Sequence, residues 1–161
     1  MKLPPELTIE KLLPHRAPMI LIDGVEEFDF EKKTLTAWTR FDSTSVFYNA
    51  QTQSVPAYVG IELMAQSIAA FSGIFCRLVK NEEPNVGFVL GSRAYENFVG
   101  EFELGKRYTI RIAEEFLEQE LGLFSCAIFG EDGALLAKGE VNVYRPASAK
   151  SFEELIEKVA Q

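Results

Sequence analysis

The chain has 161 residues, 47% of them apolar and 25% charged, a mixture that suits one globular domain of ordinary size. Its formal net charge of −8, with no cluster of Lys or Arg, argues against a nucleic-acid partner. No early apolar run is long enough to span a membrane and no apolar stretch follows the Met1–Glu6 start, so the expectation is a soluble, cytoplasmic protein without a membrane partner. Cys76 and Cys126 belong to no C-x-x-C motif and read as buried free thiols of a reducing compartment. With a single histidine, no metal site is expected.

In chain order, Thr8–Leu13 reads as a short helix with Thr8 as N-cap and Pro14 as its stop. Met19–Val25 is a continuous apolar run and predicts a strand buried on both faces at its start. Lys33–Phe41 predicts the returning strand, with Leu35, Ala37 and Thr39 on one face and Thr36, Trp38 and Arg40 on the other. Phe47–Pro56 is polar, uncharged and without period, and reads as a loop.

Ala57–Lys80 carries the longest helical signal. Its apolar residues cover nearly the whole circumference, which predicts a buried helix, and Ala65, Ser67, Ala69, Ala70, Ser72 and Gly73 let other backbone come close. The remainder reads as strands: Gly87–Gly91, Tyr108–Ile112, Leu121–Phe129 and Leu135–Tyr144, with a hairpin turn at Asp132-Gly133 and a stop at Pro146. A last short helix over 151–160 opens on the capping-box pair Ser151 and Glu154. The order is that of a single α+β domain, residues 1–161, with one long helix lying across an antiparallel sheet.

Several polar residues need an account. Glu62 lies in the first turns of the apolar helix, and Gln66, four residues on, shares its face. A carboxyl among apolar neighbours suits acid or base work, whereas the same residue near a helix N-terminus also complements the helix dipole. His15 sits in a Pro-bracketed turn and is the one candidate for a histidine base, or else a hydrogen-bonded turn residue. Tyr48, Asn49, Gln51 and Gln53 can orient a carbonyl or an amide, or simply close their own loop. The sequence holds no Gly-rich phosphate loop and no G-x-S-x-G elbow. The apolar residues of the helix, with Phe88, read either as the wall of an acyl tunnel or as core.

Three segments together resemble the β-hydroxyacyl-acyl carrier protein dehydratases. Leu13-Pro14-His15-Arg16-Ala17-Pro18 through Asp23 is similar to their LPHR opening, and Pro56 followed by Glu62-Leu63-Met64-Ala65-Gln66 to their helix. Gly91–Glu96 is similar to a later strand. Within that family the resemblance is nearest to the dehydratases of aryl-polyene-type biosynthetic clusters.

The resemblance implies a hot-dog fold and a dimer whose sheets join. It implies a site at the dimer interface, where a loop histidine of one subunit takes the α-proton of a 3-hydroxyacyl thioester and a helix glutamate of the other protonates the departing hydroxyl. No cofactor is implied, because the thioester itself acidifies the α-proton. Glu62 and Gln66 carry over, with Gly60 and Tyr48 as further substrate contacts. The loop departs from the family's G-H-F-P-x-x-P pattern: the histidine's place falls near Tyr48 or Asn49, neither of which is a base at neutral pH. The expected chemistry is therefore dehydration with Glu62 as one catalytic group and His15, or a water held by Asn49, as the other. The expected partners are an acyl carrier protein or coenzyme A thioester and a second hot-dog subunit, identical or different. The alternatives are a non-catalytic partner of an active dehydratase and a hot-dog acyl thioesterase. Carrier docking would need a local basic spot among Arg77, Lys80, Arg93, Lys106 and Arg107, which otherwise read as solvated charges.

Overall fold

The longest apolar stretch becomes the spine of the molecule. In the computed structural model, which describes residues 1–84 and 87–145 with Glu157 and Ala160, it starts as a 3-10 turn at Ala57–Val59. It continues as helix α2 over Gly60–Phe75 and ends in a π-helical turn at Cys76–Lys80. Leu63, Met64 and Ile74 on α2 are fully buried, each worth about 1.5–3 kcal/mol of transfer free energy. Ala57–Lys80 is apolar and long enough to cross a bilayer, but 67% of its most apolar window is buried inside the protein, as a core helix would be. The expected helix over 151–160 and the Pro146 stop lie outside the described residues, apart from Glu157 and Ala160, and so does the side chain of Phe88.

Around this spine runs a six-stranded antiparallel sheet in the order β1-β2-β6-β7-β8-β4. Its strands are β1 (Gly24–Asp29), β2 (Thr34–Arg40), β4 (Phe88–Asn97), β6 (Arg107–Glu118), β7 (Leu121–Phe129) and β8 (Leu135–Tyr144). Two short strands, β3 (Ser54–Pro56) and β5 (Glu101–Glu103), form a separate ladder. Helix α2 lies on the sheet and touches β2, β4, β6, β7 and β8. This is the hot-dog arrangement, one long helix wrapped by an antiparallel sheet. Period-two alternation selects the inner face: Leu35, Ala37 and Thr39 on β2 and Tyr108, Ile110 and Ile112 on β6 are buried.

Two expectations change. The apolar run Met19–Val25 is not a strand at its start: β1 begins at Gly24, and Met19 is exposed. Leu21 and Ile22 are buried as expected, but their backbone N–H groups go to the side chain of Gln66 instead of a neighbouring strand. The loop Phe47–Pro56 ends in β3, paired to β5, which alternation over three residues could not announce. The short helix α1 is Ile9–Leu12, with Thr8 at the N-cap position but making no side-chain cap bond.

α1 approaches α2 closely at Gly73. A Cβ there would run into the backbone carbonyl of Leu12, so only glycine admits the contact. That contact, with buried Leu12 and Leu13, fixes the path of the chain into His15.

Candidate functional site

One stripe of α2 is not sealed by the sheet. Glu62, Ala65, Ala69 and Ser72 are half-buried, while Leu63, Met64, Ser67 and Ala70 beside them are buried. The expectation of a helix buried all round therefore fails along this face. The stripe forms the floor of a cleft of about 230 Å³, walled by Pro14 and His15, by the start of β4 and by the end of β8.

At one end of the cleft His15 Nε2 lies 3.6 Å from Glu62 Oε1, with 31% and 38% of the two side chains exposed. That is just beyond a direct hydrogen bond, and both atoms open on the same space. His15 Nδ1 is buried and has no hydrogen-bond partner among the described residues. An imidazole and a carboxyl side by side give one proton acceptor and one proton donor within reach of a single small group.

Gln66 holds Glu62 and the segment that follows His15. Its side chain is completely buried. Its Oε1 accepts the backbone N–H of Leu21 at 2.8 Å and of Ile22 at 3.4 Å. Its Nε2 donates to Met19 O at 2.7 Å and to Glu62 Oε1 at 3.0 Å. All four hydrogen-bonding positions of the amide are thus used. One side chain ties the segment that follows His15 to the helix and orients the carboxyl that faces His15.

At the other end, Arg145 Nη1 donates to Ser72 Oγ at 2.8 Å. The sequence gives Arg145 no role and marks Ser72 only as a small residue of the helix. The available signal was an arginine at the next position in the alternation of Val141 and Val143. Among the described residues no group of three or more His, Cys, Asp or Glu side chains comes together as a metal site would require.

The profile of the ApeP-like family, described as ApeP dehydratase, matches residues 7–156. The chain belongs to the ApeP-like dehydratase family. Chain and structural similarity agree with this. A 3-hydroxyacyl-[acyl-carrier-protein] dehydratase FabZ of Ruminiclostridium cellulolyticum is 27% identical over 134 residues, 83% of this chain and 91% of that one. The FabZ of Chlamydia caviae is 32% identical over 74 residues, about half of each chain (46% and 47%). Among solved structures, the dehydratase heterocomplex ApeI:P of Xenorhabdus doucetiae superposes with a TM-score of 0.83 and 28% identity, covering 93% of this chain and 97% of the other. A hypothetical thioesterase of Streptococcus pneumoniae, solved with coenzyme A, superposes at 0.57 with 11% identity over 76% of this chain and 84% of its own, a likeness of fold alone.

For this ApeP-like chain the other candidates lie elsewhere. Asn49 is exposed and folds on itself: its Oδ1 accepts the N–H of Gln51 at 2.9 Å, and its backbone bridges to Ser54. Neither Asn49 nor Tyr48 lines the cleft of its own chain. Gly60 is buried under Tyr95, whose hydroxyl occupies the place a Cβ would need and donates to Ala57 O at 2.6 Å. Gly60 thus has a packing reason to be glycine. Burial pushes the Tyr95 phenol up to about 12, so it stays a neutral donor at the start of α2. Of the basic residues, Arg77 pairs with Glu83 at 2.7 Å, Lys106 with Glu103, and Arg107 with Glu26 at 3.5 Å while stacking on Trp38. These three already face carboxylates of their own chain.

Proposed function

We propose that the cleft dehydrates a 3-hydroxyacyl thioester carried on an acyl carrier protein or coenzyme A. The observation that carries this reading is the His15–Glu62 pair, 3.6 Å apart on the cleft, with the Glu62 carboxyl held by a buried glutamine. His15 Nε2 takes the α-proton. The Cα–H electrons form the Cα=Cβ bond, the Cβ–O bond breaks, and Glu62 gives its proton to the departing hydroxyl. The products are an enoyl thioester and water, and the redox state is unchanged. Family membership and the FabZ relatives support this reading. The setting we propose is cytoplasmic, in fatty-acid or aryl-polyene-type lipid biosynthesis.

The test is a dehydration assay on a 3-hydroxyacyl carrier protein. Glu62→Gln and His15→Ala should each lower kcat by about 10²–10⁴-fold, the usual worth of a positioned acid or base. Full activity of Glu62→Gln would refute the reading.

A second reading has its own support. One solved relative is a heterocomplex, and this chain leaves both a helix stripe and a sheet edge open. Edge strand β4 carries Val89 and Leu90 at 46% and 57% exposed, the kind of edge that another chain pairs with or that must otherwise be protected. On this reading the chain is one subunit of a hot-dog homodimer or heterodimer, and Glu62 serves a histidine from its partner. It predicts little activity alone and recovery on co-expression with an active hot-dog dehydratase. A fully active homodimer that ignores the second subunit would exclude the heterodimer.

A further inference from the structure

The far end of the cleft holds a cation that the proposed chemistry does not use. Arg145 follows the last residue of β8 and is half-buried, with its backbone N–H bound to Glu120 O at 2.8 Å. Its guanidinium donates to Ser72 on the helix. None of the ion pairs among the described residues includes it. In a chain of net charge −8, a cation facing a cleft with only a hydroxyl as side-chain partner among the described residues stands out. A guanidinium has five N–H donors, and among the described residues the bond to Ser72 is the one side-chain bond it makes, which leaves donors for an oxygen anion.

The path between the two ends is apolar. Ala65, Ile68, Ala69, Val89 and Val143 wall it, and none of these side chains can hydrogen-bond. A pantetheine arm carries two amides, which this wall would strip of water without offering partners. An alkyl or polyene chain carries none and matches the wall. Ser72 is ten residues along α2 from Glu62, a span of about 15 Å at the helical rise.

We infer that the cleft selects acyl chains ending in an anionic oxygen, with a terminal carboxylate as the defining case, bound by Arg145 while the thioester end lies between His15 and Glu62. Arg145 is then a specificity residue, and Ser72 positions it. This inference rests on the dehydratase reading for the orientation of the substrate.

Binding of unreactive probes tests it independently of turnover. The full chain is titrated with two saturated acyl N-acetylcysteamine thioesters of equal length, one ending in a methyl group and one in a carboxylate. The carboxylate probe should bind about 10- to 100-fold more tightly, as expected for a charge-assisted hydrogen bond. Arg145→Met should abolish that preference, Arg145→Lys should keep part of it, and Ser72→Ala should reduce it. Equal binding of the two probes by the unaltered protein, or binding of neither, overturns the inference. A third probe joins the methyl-ended chain to phosphopantetheine. A gain in affinity there that Arg145→Met removes would mean that Arg145 reads the carrier's phosphate, which also overturns it. A protein that prefers the carboxylate probe yet dehydrates nothing would refute the dehydratase reading and leave the selectivity standing.

Discussion

A buried amide whose four hydrogen bonds are all made cannot be replaced by an apolar side chain of similar length without leaving its partners stranded. Gln66→Met keeps the volume but leaves the buried Leu21 N–H and the part-buried Met19 C=O without their partners. Each such group costs about 1–3 kcal/mol, so we expect a loss of about 3 kcal/mol in urea unfolding. Gln66→Glu should behave differently. It retains an acceptor for Leu21 but sets a second carboxyl against Glu62 Oε1 and removes the donor to Met19, so both stability and dehydration should fall. If Gln66→Met unfolds at the same urea concentration as the unaltered chain, the clamp has no energetic weight. The spacing of Glu62 and Gln66 on one helix face was legible in the sequence, since four residues is about one turn. The partners of Gln66 were not, because Met19, Leu21 and Ile22 lie more than 40 residues away along the chain.

Elements depend on which residues can touch. In an isolated helix, replacing glycine by alanine is favourable by about 1 kcal/mol. Gly73→Ala should reverse that sign, because the new Cβ meets a rigid backbone carbonyl at Leu12 and not the movable end of a side chain. The expected cost is about 1–3 kcal/mol, the usual range for overpacking. Since Leu12 is three residues before His15, dehydration should fall as well. A stabilised Gly73→Ala variant, measured by its unfolding midpoint, would show that α1 is free to move aside. Sequence patterns gave the long helix, the β7–β8 hairpin and both faces of β2 because these elements are long and strictly periodic. They missed β5, whose three residues carry too short a pattern, the second half of β6 (Arg107–Glu118 against the expected Tyr108–Ile112) and the full length of β4. There a register shift between Arg93 and Glu96, with Ala94 at φ 51°, breaks the alternation. The same region brings Tyr95 onto the start of α2, so the irregularity that hid the strand serves the site's scaffold.

At the scale of the whole molecule, the layer between helix and sheet buries groups that lose a proton only at high pH. Burial pushes the Cys126 thiol from 9.0 up to about 12 and the Tyr95 phenol from 10.0 up to about 12, and it raises Tyr108 as well. Each group keeps its proton longer in the folded chain than in the unfolded one. Below the unfolded value both states are protonated and nothing is lost. Above it the unfolded chain releases a proton that the folded chain retains, so the unfolded state gains and stability falls with rising pH. Cys126 opens this window near pH 9, Tyr95 adds to it from pH 10, and both effects saturate near pH 12. Thermal melts across pH 8 to 12 should therefore show a midpoint that begins to fall near pH 9 and steepens above 10. Cys126→Ala carries its own packing cost at every pH, so the comparison is of the shape of the curve: its fall should begin nearer pH 10. Tyr95→Phe should start lower, having lost the hydrogen bond to Ala57, and then decline less steeply above pH 10. If both variants trace the same alkaline curve as the unaltered chain, the layer around Cys126 and Tyr95 is open to water, and a sheet closed over the inner face of α2 would be the wrong picture of this fold.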